Sequence, residues 1–269
     1  MDTKLKHLLK LLDDENQQTA SLAMAELVKY EELIDPILRK MQESGDVRMR
    51  RRIHQLQSIL TIKKRRKNLT FSLKSENPDL IRGLSELHLQ WYDNDAETLM
   101  TQYWNELLES AKKYNINSIE RLASFMHKSG FNVSNKDDID ADFYCLGIVF
   151  EDLTGADFIL AVIAKCLAAQ FGLELKIIQL IGDFALINAR GQILLPKNGW
   201  RLTPNINIKK EHFREWTDSM ILRFDASLLF MCAISSDCFR YVNTIGTCLA
   251  KTAGHNNLNF LPYPYNSEK

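Results

Sequence analysis

The stretch from Asp157 to Phe171, DFILAVIAKCLAAQF, constrains the fold more than any other. Between Phe158 and Phe171 the only polar residues are Lys165 and Gln170. A helix that is apolar nearly all round must be buried on most sides, so other elements have to wrap it. Gly155 before it and Gly172 after it are the breakers such a helix needs. Its first turn nevertheless carries Asp157, and burying an aspartate is costly unless it is paired. A helix N-terminus in a core is a place where proteins hold anions and nucleophiles. What this chain can do turns on what stands at position 157.

With 269 residues, 45% of them hydrophobic and 25% charged, the chain can build one large domain or two modest ones. The 34 basic and 34 acidic residues cancel, leaving no whole-chain field to attract nucleic acid or a membrane. Any such binding must come from a local patch. The opening MDTKLKHLLKLLDDEN is too polar for a secretory signal, and the apolar helix is too short to span a bilayer. Cys145, Cys166, Cys232, Cys238 and Cys248 form no CxxC pair. Their odd number and scattered spacing predict reduced, buried thiols and neither a disulfide framework nor a zinc site. The expectation is a soluble cytoplasmic protein with no metal and no cofactor.

The first sixty residues read as two helical pairs, LLKLLDDENQQTASLAMAELVKY and DPILRKMQESGDVRMRRRIHQLQSIL. Leu27 corresponds to Leu56 and Met24 to Ile53, an offset of roughly 29, near the period of helical repeats. Residues 1–67 are therefore expected as a helical, HEAT-like N-terminal region. The basic run KKRRKN and then Asn77-Pro78 read as a helix end and a connection. Helices follow from Asp79 to Tyr114, broken near Asp93-Asn94-Asp95, and from Ile116 to His127. Strand pattern appears only after the apolar helix, in ELKIIQLIG, DFALINARGQILLP and WRLTPNINI, with a hairpin turn at Ala189–Gln192. From Lys209 helices return. The fold class is α+β, helix-dominant, with a small antiparallel sheet.

The segments IERLASFMHKSGF, LGIVFEDLTGADFILAVIAKCLAAQFGLELKIIQLIGDFALI and LLPKNGWRL resemble transglutaminase-like proteins of the SirB-one type. The lead-in FEDLTG is the most specific element, and the resemblance covers roughly residues 79–205. It implies a transglutaminase/cysteine-protease-like core over residues 78–269, with C-terminal helices. That family places a cysteine in the first turn of the apolar helix, a histidine on the next strand and an aspartate on the one after. A thiolate at a helix N-terminus is stabilised beside imidazolium, and the carboxylate orients the ring. Carried onto this chain, the three positions fall on Asp157, Asp183 and Leu195. None is of the catalytic type. The resemblance thus implies a pseudoenzyme, a binding or regulatory module whose partner is another protein or peptide.

Alternatives remain among the residues. Cys145 with His127 would make a relocated hydrolase pair, whereas Cys166 falls half a turn away from Asp157 and reads as a core thiol. A basic segment over 48–67, including Arg51, Lys64, Arg65 and Arg66, reads as a solvated helix face or a sequence-nonspecific phosphate patch of a nucleic-acid-associated protein. It lacks interleaved aromatics for base stacking. Asp157 and Asp183 read either as a helix cap and an exposed strand start, or as a two-carboxylate pocket for a proton, a cation or a ligand amine. In the second case Asp183 is the expected proton carrier, and Asp157→Asn is expected to leave stability equal or higher.

Overall fold

Leucines at 5, 8, 9 and 12 recur three and four apart, and those within α1 (Thr3–Leu11) line its buried face. In the computed structural model, which describes residues 3–134, 140–203 and 213–254, the chain divides into two compact units, Met1–Lys67 and Asn68–Lys269. In the first unit α2 (Gln17–Leu27) starts at Asn16, whose side chain accepts from the Gln18 and Thr19 amides at 2.9 and 3.4 Å. A 3-10 segment, Val28–Leu33, leads to α3 (Asp35–Met41), with Pro36 in its first turn, and then to α4 (Val47–Lys74). Leu12, Leu27, Leu38, Ile53 and Leu56 form the centre of this unit's core. Arg52 donates to the carbonyls of Leu12 and Asp14 at 2.8 and 2.6 Å, satisfying acceptors left free past the end of α1.

The basic run is neither a helix end nor a link. It lies inside α4, where Lys63 and Lys67 reach Glu31 at 3.0 and 3.4 Å. Lysine and arginine are good helix formers, and nothing from Val47 to Lys74 breaks the helix. The expected connection shrinks to residues 75–79, ahead of α5.

In the second unit Asp79 caps α5 (Leu80–Trp91) by accepting from the Arg82 amide at 3.0 Å, and Ser118 caps α7 (Ile119–Lys128), with α6 (Glu97–Tyr114) between. Two short parallel strands, β1 (Asn132–Val133) and β2 (Thr154–Gly155), flank α8 (Leu146–Asp152). The apolar helix is α9 (Asp157–Gln170). After it come β3 (Leu175–Leu180), β4 (Asp183–Asn188), β5 (Ile193–Leu195), β6 (Arg201–Thr203) and β7 (Phe213–Trp216). These pair antiparallel in the order β6-β5-β4-β3-β7. Helices α10 (Asp218–Ser235) and α11 (Phe239–Thr252) follow. The helix-dominant α+β class with a small antiparallel sheet holds. One strand was not expected: Phe213–Trp216 pairs with β3, Leu180 opposite Phe213 and Ile177 opposite Trp216, where helix was read.

Helix α9 packs against β3, β4, α5 and α7, which accounts for its apolar circumference. Phe158 through Ala164 are all buried, and each large aliphatic or aromatic side chain contributes about 1.5–3 kcal/mol on burial. Among the described residues no helix is long and apolar enough to cross a membrane.

Candidate functional site

The entry to α9 is fixed by backbone pairing before any side chain acts. The Asn132 amide donates to Leu153 O at 2.9 Å, that of Ser134 to Gly155 O at 3.0 Å, and that of Ala156 to Phe143 O at 3.0 Å. A Cβ on Gly155 would lie 2.8 Å from a Val149 methyl, so this close approach requires glycine. The N-cap residue is Ala156, which has no side-chain acceptor to offer the first amides. Asp157 supplies it from the first helical position. Its Oδ1 accepts from the Phe158 amide at 2.8 Å, and its Oδ2 accepts from the Phe184 amide in β4 at 2.7 Å. One carboxylate thereby ties the helix start to the strand.

Asp183 begins β4 and is half-exposed; it accepts from Lys197 Nζ at 2.7 Å. Lys197 sits in a 3-10 turn, Pro196–Asn198, that closes on Gly199 at a φ of +64°. Next to it, Trp200 Nε1 donates to Phe131 O at 2.7 Å and anchors the turn in the core. Leu195 goes elsewhere: it packs with Ile178, Ala185 and Ile193 in a cluster separate from the one around α9. The structure thus brings Asp157 and Asp183 into one neighbourhood and leaves Leu195 out of it, with Lys197 taking part instead.

Burial pushes the Asp157 carboxyl above the usual aspartate range. The amides of Phe184 and Phe158 pull it down, the Asp183 charge raises it, and Lys197 lowers it. The floor of the site is aromatic. Phe158 lies 6.0, 5.6 and 5.2 Å from the rings of Tyr144, Phe184 and Phe224, and Trp216 lies 5.0 Å from Phe184. Two expectations change. The carboxyl that burial raises is Asp157, and Asp183 is paired with Lys197. And Asp157→Asn would exchange one of the two oxygens, each of which accepts from a different amide, for an NH2 donor, so it is expected to lower stability.

The basic residues do not form one face. Arg51 and Lys64 are exposed but lie roughly 140° apart around α4 at helical pitch, while Arg65 and Arg66 are half-buried and both engaged. Cys145 is fully buried and His127 exposed, with no hydrogen bond between them. Burial raises the Cys145 thiol well above its ordinary range and pushes Cys166 and Cys232 up to about 12. All five cysteines are free. Among the described residues no group of three or more His, Cys, Asp or Glu is placed to hold a metal.

Three polar groups that the structure singles out have no signal in the sequence. Lys197 stood in the quoted LLPKNG but had no visible partner. His88 is fully buried, with Nδ1 accepting from the Gly147 amide at 3.3 Å, which leaves the proton on Nε2, 2.9 Å from Asp95 Oδ2. Asp225 stands alone in the apolar stretch of α10.

The apolar helix is followed by an antiparallel sheet whose second strand, β4, carries Asp183 and is tied to Asp157. Residues 90–216 match the model of the transglutaminase-like superfamily. This stretch is a transglutaminase-like domain. No curated protein and no solved structure matches the chain. The transglutaminase-like domain spans α6 to β7 and holds Asp157, Asp183, Leu195 and Lys197, while the basic residues of α4 lie outside it. Two of its strands, β3 and β7, pair with β4–β6 between them in sequence, so the whole five-stranded sheet comes from within residues 175–216.

Proposed function

We propose that the transglutaminase-like domain is a non-catalytic one of the SirB-one type, a pseudoenzyme that acts as a binding or regulatory module. The observation that carries this is the double occupancy of Asp157. Where the family sets a nucleophile, a carboxylate has both oxygens taken by the amides of Phe158 and Phe184. The carboxylate is held as a structural tie between helix and strand, no thiol stands at the position, and the neighbouring charge is an Asp183–Lys197 pair in place of imidazolium. That half-exposed pair is the polar feature a partner protein or peptide would meet at this site. No metal or cofactor enters this proposal. A cytoplasmic location belongs to it too, supported by five free thiols.

The hydrolase alternative is disfavoured because Cys145 is sealed in the core and makes no hydrogen bond to His127, which is exposed. The nucleic-acid alternative is disfavoured because Arg52, Lys63 and Lys67 are spent on contacts within the first unit. The N-terminal helices, with Leu27 and Leu56 equivalent in the buried core, are proposed as a HEAT-like pair.

The test is chemical. The purified full chain should neither incorporate amines into glutamine peptides nor hydrolyse them, and its thiols should react with iodoacetamide no faster than a free cysteine at neutral pH. A single cysteine labelled much faster than that would overturn the proposal in favour of the hydrolase.

A further inference from the structure

Helix α10 carries one buried group that the site does not use. In the run ILRFDASLLF, Arg223 and Ser227 face solvent, and Asp225 faces inward with no exposure at all. Neither of its carboxylate oxygens has a hydrogen-bond partner among the described residues. Native proteins satisfy nearly all such groups, so an acid left alone calls for a physical reason.

Among the described residues, the groups on the elements packed against α10 supply no cation to Asp225. From the 3-10 turn Ala141–Phe143 and its flanks come Asp140, Asp142, Tyr144 and Cys145, of which Tyr144 and Cys145 interact electrostatically with Asp225. From α5, Glu86 is held by Ser72 and Arg82, and His88 by Asp95 and Gly147. From α11, Arg240 pairs with Asp93, Tyr241 stacks on Trp91, and Cys248 is buried. On α10 itself, Arg223 donates to Leu73 O, Asp218 pairs with Lys165 from α9, and Cys232 is a neutral thiol. An isolated carboxylate in such a place neutralises by keeping its proton. Burial raises the Asp225 carboxyl well above its ordinary range.

Tyr144 connects this acid to the α9 site. Its ring stacks on Phe158, the residue after Asp157 on α9, and Tyr144 follows the 3-10 turn Ala141–Phe143 on which α10 packs. We propose that Asp225 is a proton-operated lock, in which the neutral acid lets α10 pack on residues 140–145 and loss of the proton releases that contact and the Tyr144 side of the α9 site. The lock stands whether or not the domain is catalytic.

The sign follows from linkage. An aspartate in the unfolded chain ionises near about pH 3.9, whereas the folded acid keeps its proton above that. Over that range the folded state binds one more proton, so opening becomes roughly tenfold more favourable per pH unit as pH rises, until the buried acid itself ionises.

The experiment is hydrogen exchange of the full chain across about pH 5 to 9, corrected for intrinsic rates, with infrared detection of the protonated carboxyl. Wild type should show a protonated-acid band at neutral pH that Asp225→Asn lacks. Protection of 140–146 and of α10 should fall with pH in wild type and be flatter by roughly one proton in Asp225→Asn. Asp225→Leu, which removes the polar atoms, gives the same comparison if the amide does not fold. An ionised Asp225 at neutral pH, or equal pH slopes in wild type and the variants, would overturn the lock.

Discussion

Asp157 shows how a side chain that cannot do the chemistry of its position can still be fixed there by geometry. An aspartate one residue inside a helix is too short to reach far, yet its two oxygens meet two amides that otherwise lack acceptors. The charge of a carboxylate also suits a helix N-terminus. Asparagine keeps the shape but offers one acceptor and a donor. Whichever way the amide turns, its NH2 faces Phe158 N–H or Phe184 N–H, donor against donor. Asp157→Asn should therefore lower stability by about 1–3 kcal/mol, the cost of one unmet buried amide. Asp157→Ala should do at least as much harm. Chemical denaturation of the three proteins checks this; an asparagine variant as stable as wild type would mean that the carboxylate does not bridge helix and strand.

At the scale of elements, the sequence pattern revealed what composition decides and missed what partners decide. Helix α9 was legible because an all-round apolar segment admits few environments. The five-stranded sheet was legible in part: β3 to β6 alternate and are set off by turn residues, but β7 is FREW, four residues with two charges. Such a strand exists because β3 offers a free edge, and a single sequence does not display that. The run at 63–67 was misread because charge suggested solvation, when Glu31 was its partner from more than thirty residues away. Lys197 was hidden for the same reason: its aspartate lies across a strand. The β3–β4 turn carries a further mismatch. Ile181 and Gly182 have φ of +51° and +92°, and a β-branched residue pays for the left-handed region while its side chain is 95% exposed. Ile181→Asn should stabilise the second unit by about 1 kcal/mol, since asparagine adopts this region more readily. The shift in denaturation midpoint reads it out, and a loss would show that the isoleucine makes a contact worth more than its strain.

At the scale of the whole molecule, the two units keep their acids differently, and pH should separate them. In the first unit the perturbed acids are exposed and held down: Glu26 by Lys29, Glu31 by Lys63 and Lys67, and Asp46 by the amides of Met49 and Arg48. Groups with folded pKa values below their unfolded ones contribute stability above about pH 4, and that stability is lost as pH falls through the folded values. In the second unit the buried acids are pushed up by desolvation: Glu86, Asp157 and Asp225. Folded values above the unfolded ones give stability that is fully present below about pH 4 and falls as pH rises towards the folded values, least at Asp157, whose ionised form the amides of Phe184 and Phe158 hold. Glu109 and Glu120 are lowered in this unit too, but at exposed positions where solvent screens the effect. As pH rises above about 4, then, the helices α1 to α3 should keep constant protection against hydrogen exchange while α5 and α10, which carry Glu86 and Asp225, lose it until those acids ionise. Below about pH 4 the exposed acids of both units, Glu26, Glu31 and Asp46 in the first and Glu109 and Glu120 in the second, lose only a solvent-screened contribution. Exchange measured on the intact chain, peptide by peptide, separates the two responses. A common pH slope in both units would mean that the buried acids of the second unit titrate as if exposed.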